Sequence, residues 1–177
     1  YSEGIYEDMN KAITLRLFRE GKDPDETIRE YLRYECHLPE ESLDDGLRLI
    51  RALETAHTRD SFGFQTPKKT VTPWNTSRIE EAESLAEALN QGMTEEERDN
   101  IKWKMIYLRA KIDGELLRSN FNLTEAFHGY CDQLDEIYYT KNGSYAVRPC
   151  CHDQIPEAER RISRPGWKGA PVFWWET

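Results

Sequence analysis

The chain lacks any apolar run near the roughly 18 residues that cross a bilayer, so no membrane-spanning helix is expected, and without a clustered positive surface no anionic membrane is expected as a partner either. It is also short of positive charge. Lys and Arg total 24 against 33 Asp and Glu, a net charge of −9, and the basic residues are scattered. A polyanionic backbone needs a concentrated positive surface, so nucleic acid is excluded as a partner too. Four cysteines, Cys36, Cys131, Cys150 and Cys151, are too few for a disulfide scaffold in a chain of 177 residues. A glycine-rich phosphate loop, an HExxH pair and a GxSxG elbow are all missing. No cofactor is therefore expected. Three sequons, at Asn75, Asn122 and Asn142, matter only in a eukaryotic secretory setting. The expected chain is soluble; its compartment stays open, with the cytoplasm slightly favoured.

What is present is charge, at 32% of residues, and helical periodicity. Ile5, Met9, Ala12, Ile13 and Leu17 fall on one face of a helix that Gly21 can end. Asp23, Pro24 and Glu26 then form a helix start, and the helix they open carries Ile28, Tyr31, Leu32 and Tyr34. Pro39 opens a third helix with Leu43, Leu47, Ile50 and Leu53 at helical spacing. From 58 to 75 the period stops; so long an unpatterned stretch is often functional or packed on a partner. Ser77 with Glu80, and Thr94 with Glu97, are capping boxes. One helix is expected from about Glu95 to Ser119, seamed by Ile101, Met105, Leu108, Ile112 and Leu116. The next is striped by Leu123, Phe127, Tyr130, Leu134 and Ile137, and the two should pair. The expected fold is all-α: a single domain and a bundle of about five to six helices. It comprises a three-helix part (1–57), a loop (58–75), a helical part (76–139) and an irregular aromatic tail (140–177).

Candidate chemistry is sparse. His128 and Cys131 lie three apart on one helix, and the Cys150-Cys151-His152 triplet could supply further ligands to a tetrahedral zinc. Adjacent cysteines rarely both reach one metal, and Cys131 borders an apolar stripe, so an inert core cysteine is the better account and no metal is expected. A nucleophilic cysteine paired with His152 would lack a visible orienting group and oxyanion motif. Asp113 and Glu115, two apart, diverge around a helix and read as solvated charge. The acidic runs around Glu80–Glu83 and Glu95–Glu97 read as first turns of helices. Glu3, in the opening YSEG, is different. A polar segment ending in Glu-Gly and entering a helix is the pattern at the C-terminal end of a barrel strand, where barrel active sites sit.

The stretch YSEGIYEDMNKAITLRLFREGKDPDETIREYLRYEC resembles a junction in large glycoside hydrolases and relatives of alpha-glucuronidases and hexosaminidases. There a TIM barrel passes into a C-terminal helical domain. The resemblance rests on the Tyr1–Ile5 opening, Asn10-Lys11, Leu15-Arg16-Leu17, Asp23–Glu26 and Arg29–Tyr34. It implies a fragment: an accessory helical domain that packs on the catalytic barrel of its parent and contributes to dimer contacts. Tyr1 and Glu3 would lie at the edge of the parent's sugar site, Glu3 being the one catalytic candidate. Without the roughly 250 residues of a barrel, the chain alone is expected to be inactive. The alternative is a stand-alone helical binding protein, zinc-stapled through His128, Cys131, Cys151 and His152.

Overall fold

The computed structural model describes residues 7–56, 75–120 and 122–137; the 58–75 loop apart from Asn75, and the aromatic tail, lie outside them. Among the described residues the fold is all-α, with seven α-helices: α1 (Glu7–Glu20), α2 (Pro24–Tyr34), α3 (Leu43–Ala56), α4 (Thr76–Gly92), α5 (Glu95–Arg98), α6 (Ile101–Arg118) and α7 (Glu125–Glu136). The count exceeds the expected five to six chiefly because the helix predicted from Glu95 onwards is two. Thr94 and Glu97 close a reciprocal capping box on α5, as their spacing predicts. The chain then turns, and the side chain of Asn100 accepts the Trp103 N–H at 3.0 Å to start α6. A second cap inside an apparently continuous apolar seam ends one helix and opens another.

The other starts follow similar chemistry. The carboxylate of Asp23 accepts the N–H groups of Asp25 and Glu26 at 2.8 and 3.3 Å, and Pro24 occupies the first turn of α2. Pro39 leads into a 3₁₀ turn (Glu40–Ser42), and α3 begins only after it. The predicted Ser77–Glu80 box does not form. α4 starts two residues earlier, behind Asn75, and the Ser77 hydroxyl donates to the Asn75 carboxamide at 2.9 Å. The acids at 80–83 therefore sit in the second turn of α4, not the first. Among the described residues two non-glycines occupy the left-handed region, His37 (φ 58°) and Asn120 (φ 52°), where α2 and α6 have ended; Gly21 (φ 65°) does the same after α1.

Two apolar clusters share α6. The first joins α1, α2, α3 and α4 to Trp103, Ile106 and Ala110 on one side of α6. The second packs Met105, Leu108, Ile112 and Leu116, on the opposite side, against Phe127, Cys131, Leu134 and Ile137. The predicted seam is thus the α7-facing side, and a second buried side lies behind it. α3 and α4 pack most closely of all. Both carry fully buried alanines, Ala52 and Ala56 on one and Ala82 and Ala86 on the other, and short side chains let helix axes approach. Their ends meet as well: the Asn75 N–H donates to the Ala56 carbonyl at 3.0 Å, so the segment between them leaves and returns at one point.

Three stripe residues depart from the expected burial. Leu17 is 45% exposed, Tyr34 66% and Leu123 37%. Tyr34 lies outside the α2 stripe because Ile28, Tyr31 and Leu32 already fill its inward arc; the Arg33 guanidinium sits 5.7 Å from the centre of its ring. Leu123 precedes α7 altogether.

Candidate functional site

Tyr1, Glu3, Cys150, Cys151 and His152 lie outside the described residues. His128 and Cys131 share α7, as their spacing predicts, but face different surroundings. Cys131 is fully buried in the second apolar cluster, whereas His128 is half-buried and edge-on to Phe127, ring centres 5.4 Å apart. Among the described residues no three His, Cys, Asp or Glu side chains are grouped to hold a metal ion. Cys36 is buried in the first cluster, and burial, reinforced by the nearby charge of Asp8, pushes its thiol far above the ordinary range. That removes the thiolate a nucleophile requires.

Asp113 and Glu115 diverge as expected, but neither is solvated charge. Asp113 is 1% exposed; the Arg109 Nε donates to its Oδ2 at 2.9 Å, and the Arg109 side chain is 4% exposed. This is a buried ion pair one helical turn apart, on the side of α6 between its two apolar faces. Glu115, largely covered, points the other way. It accepts the Thr124 hydroxyl at 2.6 Å and an Arg118 N–H at 3.0 Å, which hold its carboxyl below the usual range.

Other polar groups of α6 knit it to α4. Lys111 lies 3.1 Å from Glu83 and 3.4 Å from Glu87, its ammonium 5.9 Å from the centre of the Tyr130 ring. Arg118 also bonds Glu83. The Glu83 carboxylate rests directly on Gly114, where an added Cβ would lie 2.2 Å from an oxygen. A glycine is needed at that point for the carboxylate to reach both cations. Tyr107 donates its hydroxyl to Glu87 at 3.0 Å; burial first, and that bond second, push the phenol up to about 12.

Around α1 the pattern differs. Glu30 of α2 accepts from both Arg16 and Lys22, and its carboxyl is lowered, first by the Lys22 bond. Lys102 of α6 donates to Asp8, which also bonds the buried Tyr31 hydroxyl. Outward, α1 presents Leu15 (54% exposed), Leu17 and Phe18 (84% exposed). The sequence signal was there: apolar residues at 12, 13, 15, 17 and 18 are too many for the one arc a surface helix can bury.

Chemically, each of these shifts moves its group away from neutrality. The carboxyls of Glu30, Glu40, Glu87, Glu97 and Glu115 go down, while Tyr31, Tyr107 and Cys36 go up. General acid–base catalysis needs a group poised near the working pH; these are locked in their ordinary charge states. Glu30, Glu87 and Tyr107 join helices, and Glu97 caps its own. Comparison with protein-family models, with curated proteins and with solved structures gives no match to this chain.

Proposed function

We propose that the chain is a helical accessory domain that binds another folded domain through the outward face of α1. The exposure of Phe18, with Leu15 and Leu17 beside it on one short helix, carries this reading. A large aromatic left in water with an exposed leucine one turn before it, and a second leucine flanking the helix, is apolar surface of the kind that protein contacts cover. The partner we name is the catalytic barrel of the same polypeptide, a glycoside-hydrolase-like domain. That choice rests on the resemblance of Tyr1–Cys36 to a barrel–helical junction, which puts α1 among the elements nearest the barrel. The carbohydrate link depends on the resemblance alone.

The test uses the coding sequence directly upstream. Expressed as a separate domain, it should bind the full 177-residue chain, and Phe18→Asp should abolish binding while leaving the helical circular dichroism unchanged. The chain by itself should release no sugar from aryl glycosides. Three results would each defeat the reading: no barrel encoded upstream, binding indifferent to Phe18→Asp, or glycoside turnover by the isolated chain.

A further inference from the structure

Helix α1 is held to the rest of the molecule differently from every other long helix. Where α3 buries eight residues, the described residues of α1 bury one, Met9, with Ala12 and Ile13 half-covered. It packs chiefly on α2. Its ion pairs to other helices include Arg16 on Glu30 and Asp8 on Lys102, side chains between 29% and 43% exposed. Such pairs are weak and screened by salt. At its C-terminal end the chain passes through Gly21 at φ 65°, with no heavy atom within 4 Å of where a Cβ would stand, so the joint has room to turn. Met9, on its first turn, belongs to the apolar cluster that also holds Tyr31 and Cys36, both buried, and the neighbouring Asp8 bonds the Tyr31 hydroxyl.

We propose that α1 is a releasable strap: it swings off α2 as a unit about Gly21, uncovering the apolar surface at Tyr31 and Cys36, while α3, α4, α6 and α7 stay folded. Local opening of this kind is drawn from the elements with fewest buried apolar contacts and most exposed bonds. The clasp is Glu30, whose carboxylate grips the helix at Arg16 and the far side of the hinge at Lys22. The inference stands whether or not the outward face of α1 is the docking surface.

Two buried thiols, one in each apolar cluster, make it testable on the reduced full chain. Alkylation by N-ethylmaleimide, resolved by peptide mass spectrometry, should label Cys36 faster than Cys131. Glu30→Gln should speed Cys36 about threefold, the effect of losing the one partly exposed ion pair of Glu30 that reaches α1, the pair with Arg16, and leave Cys131 unchanged. Raised salt should act in the same direction on the parent chain. Amide hydrogen exchange should quicken along α1 by the same factor in Glu30→Gln and stay constant in α3. Equal labelling of the two thiols in both proteins would mean global unfolding and overturn the proposal. Faster Cys36 labelling without faster exchange along α1 would also overturn it, since the thiol would then be reached by another route.

Discussion

The buried pair on α6 makes the sharpest demand on the energetics. Arg109 and Asp113 are 4% and 1% exposed at the side chain, with the donor 2.9 Å from the acceptor. Removing one partner strands the other charge away from water, which costs about 3–5 kcal/mol; replacing both with apolar groups of similar volume is often close to neutral. Asp113→Leu and Arg109→Met should therefore each cost about 3–5 kcal/mol, and the double variant about 1 kcal/mol. The implied coupling is about 5 kcal/mol or more, well beyond the error of additivity at distant sites. For a urea slope of about 2 kcal/mol per molar, each single variant shifts the midpoint down by about 1.5 M or more. Far-UV circular dichroism during urea unfolding reads this directly in an all-α chain, with Trp103, fully buried in the first cluster, as a second probe. A single variant costing less than about 1 kcal/mol would place the pair in the surface class. A double variant costing the sum of the singles would show no coupling. Either result refutes the argument.

Replacing 58–73 with a Gly-Ser linker about fourfold shorter should leave the helical spectrum intact, because Ala56 and Asn75 already meet at 3.0 Å; the shorter closure should add about 1 kcal/mol to stability, and loss of the cooperative thermal transition would refute it. Glu115 supplies a pH test. Its carboxyl is lowered from 4.5 in the fold, first by the Thr124 hydroxyl and then, against some desolvation, by Arg118. The stability it contributes is fully present above the unfolded value and is lost as pH falls through the folded one. Glu115→Gln should accordingly flatten the acid side of the stability profile below about pH 4.5 and leave its alkaline side alone; an unchanged acid slope would contradict the assignment.

How far the sequence could be read depended on which interactions set each feature. Fold class was legible because helical period and caps are local: Asp23, Thr94 and Gly21 act where their neighbours predict. The split between α5 and α6 was hidden because the apolar seam runs on past Asn100, and only the chain's turn shows that its side chain is a cap. Asp113 was misread for a tertiary reason. Arg and Asp four apart on a helix look like a surface pair, and nothing local says that this side of α6 is covered. The candidate site was least legible. Tyr1, Glu3, Cys151 and His152 lie outside the described residues, while Cys131 sits in the apolar surroundings that the stripe beside it led one to expect.

The charge pattern and the apolar pattern lead to the same surface. An acidic chain with scattered cations could still bind an anion if those cations stood unengaged. Instead they are spent between helices: Arg29 on Asp44, Arg33 on Glu40, Arg48 on Glu81, Arg51 on Asp25, Lys111 and Arg118 on Glu83. Each of these pairs is worth little alone, but together they fix the register of α2, α3, α4 and α6 and leave the positive charge neutralised where it stands. Recognition by α2, α3, α4 and α6 through charge is thereby disfavoured. Apolar recognition is left, and there the distribution is uneven. Of the five large apolar side chains exposed among the described residues, Leu15, Leu17 and Phe18 belong to α1, while Tyr34 and Leu123 stand apart at helix ends. The helix least anchored to the core is thus also the one with the most apolar surface to offer. An interaction there would reach α1 in either state, strapped down or released, and would shift the balance between them according to which state it binds more tightly.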